Sequence, residues 1–496
     1  MARNWRDRAP LFAVLLGFAL SRAVAAARGV HFDAFPLGHF WQYLDPSLLR
    51  DRLWESLFYL HAQPPLFNLF LGSVLHLWPQ STTAAFAVCY HAVGLGLALS
   101  MFALMRQVGA SDWLAAALTL LFIVSPPALF FEHYLFSEYP TMLLLCGAGV
   151  ALHRFLSGGH IAFGAVAFGL MGLAIWTRSH FQLPWLLLVL ASVVALCATA
   201  RRRVLLAAVP GLALTLALYL KNFLVFGTLT TSSWFGMNLM SMATFALPPH
   251  APAELVARGV VTPLFAVPPF NTVATYRGML ELPPASGVPT LDRETADSGN
   301  ANFNHLAYVS VSTRYRRDAM TVIGMYPGAY LHAVAAATSL FFRPANDYEY
   351  FTGFRHSMPL WNALYSRLLC GQWTPAGPVK LNGRFNFDLS NTVPSIGWFI
   401  LIGMPLLAVL GLRRLRMAHR DGDVATAATL AFILITLAYA TFVGVALNIG
   451  ENERYRFVLE PFLFILWAAA CSRRRGAELA EDAEPTTRSR YGSGTK

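Results

Sequence analysis

The chain has 496 residues, of which 56% are hydrophobic and 13% charged, and its formal net charge is +11. A mean hydropathy of +0.49 excludes a soluble globular domain, and the basic residues stand in short clusters at the ends of apolar runs, which is a membrane-topology pattern that calls for no nucleic acid. The five cysteines are scattered singly, which excludes a disulfide framework and a paired-cysteine metal site.

Apolar runs of about 16 to 24 residues suit the roughly 20 helical residues that cross a bilayer. The first, residues 10–30, follows Arg3, Arg6 and Arg8. It is long, contains Ser21 and Arg22, and has no small-residue cleavage site before "VHFD", so it reads as an uncleaved first helix. Further runs lie near 64–78, 83–105, 112–131, 139–156, 161–176, 181–199, 204–226, 326–342, 394–412, 424–447 and 455–471. If all of them crossed, "RRR" at 201–203 would face away from the N-terminus, against the positive-inside bias. The proline-flanked segments 64–78 and 326–342 are therefore expected to lie along the membrane face or re-enter it. About ten spans remain, and Arg106, Arg154, Arg201 to Arg203, Arg413, Arg414, Arg416 and Arg473 to Arg475 then share the side of the N-terminus.

The expected fold is all-α, a polytopic transmembrane helical bundle over residues 1–472. Two long loops, 31–63 and 227–393, lie on the other side. Residues 245–305 of the larger loop, with "VPPFN" and "ELPPASGVPTLDRETADSGN", have turn composition and no helical period. Residues 473–496 are polar and poor in aromatics, and read as a disordered cytoplasmic tail.

This topology gathers ionisable groups at one end of the bundle. The first loop brings Asp33, Asp45, His61 and Gln63; "FFEHYLFSEYP" brings Glu132, His133 and Glu138; "WTRSHFQLP" brings Arg178 and His180. "YLKNFLVFGTLTTSSWFGMNL" contributes Lys221, Asn222 and Asn238, and "NIGENERYRFVLEP" contributes Glu451, Glu453, Arg454, Arg456 and Glu460. A charge at the rim of an apolar bundle is costly unless solvated or paired. Any one of them has an ordinary reading as a snorkelling residue or a structural ion pair. Their convergence matches what transfer from a lipid phosphate requires: a carboxylate to deprotonate an acceptor and cations to hold the phosphate. The alternative is a transporter or lipid flippase, which predicts ionisable groups and broken helices near the bilayer midplane. Asp45, ahead of Pro46, reads as a helix cap.

Five pieces in this order resemble the GT-C superfamily of membrane glycosyltransferases, in the branch with protein O-mannosyltransferases and the bacterial aminoarabinose transferase acting on lipid A. They are Asp33 after the first span, "HAQPPLFNLFLG", "FSEYPTMLLL", "KNFLVFGTLTTSSWFGMNL" and "ENERYRFVLEPF". The chain departs from many relatives in having Asp-Ala at 33–34 rather than paired acids, and His61 where a carboxylate often stands. The resemblance implies an inverting transfer of one sugar from a polyprenyl-phosphate donor to a glycan, lipid or protein acceptor. It places the protein in the plasma (inner) membrane, with both termini cytoplasmic and the site extracytoplasmic. Asp33 is then the general base, with His61 and Glu138 beside it. Arg178, Lys221, Arg454 and Arg456 hold the donor phosphate, and Trp41, Tyr43, Gln63, Asn222 and Asn238 contact sugar or acceptor. The resemblance leaves room for one cofactor, a divalent cation, for which Glu132 and Glu138 are the ligands such loops would offer.

Overall fold

The computed structural model describes residues 8–374 and 395–472; the tail at 473–496 lies outside them. Among the described residues the elements are helical, and extended pairing is limited to isolated bridges such as Asp33 with Tyr134. The main helices are α1 (Ala9–Ala27), α2 (Leu66–Leu77), α3 (Thr82–Gln107), α4 (Asp112–Ile123), α5 (Pro126–Glu132), α6 (Glu138–Leu156), α7 (Ile161–Thr177), α8 (Leu183–Leu196) and α9 (Arg201–Phe226). The large loop holds α10 (Phe235–Thr244), α11 (Ala307–Met325) and α12 (Pro327–Phe341), and the chain continues with α13 (Trp398–Arg420), α14 (Val424–Ala446), α15 (Asn452–Phe457) and α16 (Glu460–Cys471).

Six of these, α1, α3, α6, α9 with its preceding turn, α13 and α14, are long and apolar enough to cross a membrane. The run at 112–131, read from sequence as one apolar stretch, is α4 and α5 bent by 63°. The bend has a local cause: the Ser125 hydroxyl caps α5 by accepting the Ala128 N–H, and Pro126 and Pro127 cannot donate back into α4. The apolar helices α2, α7, α8 and α16 are shorter. Close packing compensates for weak amphipathicity. A Cβ on Gly211 of α9 would stand 2.2 Å from the Phe168 carbonyl oxygen of α7, so only glycine lets these two backbones meet.

Contacts between helix ends show which ends lie together. At one end, the Arg106 guanidinium at the close of α3 donates to Asp112 at 2.6 Å, and Arg203 at the start of α9 donates to the Gly159 carbonyl before α7. There too Gly109 packs near Arg414 of α13 and Ser472 after α16. The arginine clusters that the sequence groups together therefore share one end wherever they are described. At the other end, Asp33 after α1 pairs with Tyr134 before α6, and Lys221 near the close of α9 donates to the Leu60 carbonyl of the first loop. His180, between α7 and α8, meets the Ala440 carbonyl near the close of α14.

Both α2 and α12 begin and finish at this second end. Phe67 of α2 contacts Tyr43, and Phe70 contacts Phe86 at the beginning of α3. On α12, Tyr330 donates to the Ala446 carbonyl, and the Phe342 carbonyl accepts from Gly397 just before α13. At 12 and 15 residues these helices are about 18 and 22 Å long, at least as long as α16, so the placement of their ends rather than their length sets them apart.

Candidate functional site

A cavity of about 1770 Å³ opens at the end where the long loops meet. Its walls come from the first loop, the segment between α7 and α8, the start of the large loop, residues 343–373 and the turn before α15. Its lining mixes two chemistries: Arg178, Arg343, Arg355, Asp347, Glu451 and Glu453 are charged, while Leu183, Tyr219, Phe223, Tyr439 and Val443, at the ends of α8, α9 and α14, are apolar or aromatic.

Of the residues to which the resemblance gives a role, Trp41, Gln63, Arg178 and Asn238 line this cavity, and so do His180, Glu451 and Glu453 from the converging ionisable groups. Trp41 is half exposed and lies over Phe270 with ring centroids 6.1 Å apart, as an open aromatic platform requires. Gln63 is held by the Ser179 hydroxyl, which donates to its Oε1 at 3.1 Å.

Arg178 belongs to a buried charge network. Its Nη1 stands 2.5 Å from Glu138 Oε1, a charge contact rather than an aligned hydrogen bond, and the same oxygen accepts from Arg454 Nε at 2.7 Å. Arg454 also donates to Glu451 Oε2 at 2.8 Å, and its guanidinium lies 4.1 Å from the Phe136 ring centroid. Burial alone would lower the pKa of this guanidinium, but Glu138 and Glu451 raise it well above its usual range, so Arg454 is a permanent cation. Neither Glu138 nor Arg454 is on the cavity wall. Their partners Arg178, Glu451 and Tyr348 are, so the pair sets the wall from behind.

Arg456 departs further from expectation. Its Nε donates to the Phe341 carbonyl at 2.8 Å, Nη2 to the Arg343 carbonyl at 3.0 Å, and Nη1 to Glu460 at 2.7 Å. It thus satisfies carbonyls at the close of α12, which the helix cannot pair itself. Its route to the cavity is through the backbone of Arg343. Lys221, expected at the phosphate, instead ties α9 to the first loop through Leu60 and lies 5.5 Å from the Phe226 ring centroid.

The remaining residues also sit off the wall. His61 is 1% exposed, bonds Ser233 Oγ through Nδ1 at 2.7 Å and packs its ring against Phe226. Burial, assisted by Lys221, pushes its pKa down to about 3, so it is a neutral buried imidazole. Asn222 closes α9 by donating to the Thr230 carbonyl at 2.6 Å, and Tyr43 donates to the Leu135 carbonyl at 2.8 Å. Asp45 does not cap its helix. Its Oδ1 accepts the Asp297 N–H at 3.1 Å, which pins the large loop to the first.

Asp33 is half-buried beside the cavity rather than on its wall. Its backbone pairs with residues 133–135, and its Oδ1 accepts the Phe35 N–H at 2.8 Å. Tyr134 and Phe35, its neighbours, are both in ring contact with Tyr350, which does line the cavity.

The two glutamates offered to a divalent cation do not fit one. Glu132 is taken by the Arg22 guanidinium, by His91 at 2.8 Å and by the Tyr139 hydroxyl at 2.9 Å, and Glu138 by Arg178 and Arg454. Among the described residues, no three His, Cys, Asp or Glu side chains converge on a metal position.

Sequence reasoning missed Arg343, Asp347 and Arg355. They belong to "FFRPANDYEYFTGFR", directly after the apolar run at 326–342, where charges and aromatics alternate without a familiar motif. That density of charge beside a membrane-face helix was the available signal.

No protein-family model and no curated protein matches the chain. Among solved structures it is similar to the oligosaccharyltransferase of Archaeoglobus fulgidus in the apo form, at 14% identity and a TM-score of 0.41, covering 94% of this chain and 50% of that one. The same enzyme tethered with an acceptor peptide containing the NVT sequon matches at 13% identity and 0.41, over 93% and 49% of the two chains. The chain spans about half the length of that protein.

Proposed function

We propose that the protein is a membrane glycosyltransferase of the GT-C kind that moves a single sugar from a polyprenyl-phosphate donor to an acceptor, with inversion, on the extracytoplasmic face. The observation that carries this reading is the mixed lining of the cavity, where charged residues share the wall with the apolar and aromatic helix-end residues Tyr219, Phe223, Tyr439 and Val443. An amphipathic donor, a phosphate bearing a sugar and a long apolar chain, has a partner in each set. In this reading the chain lies between α9 and α14, and Arg178, Arg343 and Arg355 offset the negative charge that collects on phosphate as its bond to the sugar breaks. Asp33 takes the acceptor proton from the aromatic rim formed by Phe35, Tyr134 and Tyr350. Trp41, Gln63 and Asn238 contact sugar or acceptor.

A donor analogue with a photoreactive group on the lipid, close to the phosphate, tests the assignment. Label is expected in α9 around Tyr219–Phe223 and in α14 around Tyr439–Val443. Specific label confined to α13 or α16 would overturn it. Sidedness has its own test in intact cells, where an impermeant thiol reagent is expected to modify Arg50→Cys and Ala285→Cys but not Arg202→Cys. Modification at 202 would reverse the topology.

A further inference from the structure

Glu453 is a carboxylate on the cavity wall for which neither the resemblance nor the reading above has a use. Its side chain is 4% exposed, and its Oε2 has no hydrogen-bond partner among the described residues. Among those residues, no arginine, lysine or histidine nitrogen lies within ion-pair distance of it. The other buried glutamates of α15, α16 and the adjoining helix ends differ: Glu138 and Glu460 each have an arginine in contact. An unpaired buried carboxylate costs free energy that a wholly structural residue has no reason to retain.

The surroundings define what it faces. Arg343, 3% exposed, lines the same cavity and attracts it, while Asp347 from residues 345–347 and Glu451 beside α15 repel it. Helix α14 carries no charged residue. Helix α12 offers only His332, which packs against Phe245, and α6 offers Glu138, already held by Arg178 and Arg454. Arg456 fixes the backbone of Arg343, so the position of this cation relative to Glu453 is built into the fold.

We propose that Glu453 and Arg343 together bind the phosphate of the lipid-linked donor, with Glu453 taking up a proton as the phosphate enters. This rests on the glycosyltransferase reading for the nature of the ligand. A charged Glu453 would repel a phosphodiester, whereas the neutral carboxyl donates its O–H to a phosphate oxygen while Arg343 supplies the positive charge. Burial pushes the carboxyl up to about 7, so little work is needed to protonate it near neutral pH. The incoming anion raises it further, and the proton comes from solvent.

The experiment measures binding of a farnesyl phosphodiester, whose single charge does not titrate between pH 6 and 9, by calorimetry in two buffers of different ionisation heat. The unaltered protein is expected to take up a proton on binding, and its affinity is expected to fall toward a limit of about tenfold per pH unit above 7. In Glu453→Gln, proton uptake should vanish and the affinity should stay level across that range. His39, His180, His356, Asp347 and Glu349 also line the cavity, and uptake that did not come from Glu453 would survive in this variant. Binding without proton uptake by the unaltered protein would overturn the proposal whatever the variant's stability, and so would uptake that persists in Glu453→Gln. Absence of any binding by the unaltered protein would overturn the proposal together with the donor reading beneath it.

Discussion

Asp33→Asn is expected to lower sugar transfer by about a hundred- to ten-thousand-fold, the usual cost of removing a general base, while donor binding is kept. Asparagine has nearly the same shape and can still accept the Phe35 N–H through its oxygen, so the turn after α1 should persist. What it cannot do is take a proton. The backbone of Asp33 is fixed by its pairing with residues 133–135, so the loss falls on chemistry rather than on loop order. Asp45→Asn provides the contrast. Asp45 holds the Asp297 N–H across the two long loops, and its amide replacement should leave turnover near that of the unaltered protein with a modest loss of stability. Equal turnover by Asp33→Asn and the unaltered protein would remove the assigned base.

Arg454→Ala should be the most destabilising single change in this region, on the order of 3–5 kcal/mol for stripping one partner from a buried ion pair. The truncation leaves Glu138, buried, facing Arg178 alone, and deprives Glu451 of its only ion pair among the described residues. It also removes the cation from the Phe40, Phe136 and Tyr348 rings. Because Tyr348 and Glu451 line the cavity, donor affinity should fall with stability. Lysine should rescue only part of either, since one ammonium cannot reach Glu138 and Glu451 in the geometry of the guanidinium fork. Thermal unfolding in detergent, followed beside donor binding, checks both. An unchanged transition in Arg454→Ala would show that the network does not support the wall.

These expectations separate what a linear sequence reveals from what it conceals. The grouping of helix ends was legible because arginine clusters mark it, and prolines flank 64–78 and 326–342, the two segments expected not to cross. The site was legible in part. Arg178, Trp41, Gln63 and Asn238 reach the cavity, and "ERYRF" was rightly read as a place where charge is concentrated.

Its two arginines were nevertheless assigned to the ligand when they serve the scaffold. On a helix, residues two apart point to nearly opposite sides, so Arg454 meets Glu138 of α6 while Arg456 meets the closing carbonyls of α12. Both partners are over a hundred residues away in sequence, and no periodicity within α15 announces them. The same holds for Asp45, whose position before proline suggests a cap until the Asp297 N–H arrives from the large loop. Arg343 was overlooked for the converse reason. It follows an apolar run as an ordinary flanking cation would, and its place on the wall, with Arg456 bonded to its carbonyl, shows only in three dimensions.

In the proposed reading the protein breaks the bond between sugar and lipid phosphate rather than carrying an intact lipid across a membrane. Detergent-solubilised protein, for which no compartments exist, should be given a panel of polyprenyl-phosphate sugars labelled in the sugar, together with crude envelope acceptors, and the lipid products resolved. The account predicts that one of these donors is converted to polyprenyl phosphate with label transferred to acceptor, and that Asp33→Asn abolishes the conversion. Donors that bind yet all remain intact under these conditions would contradict it.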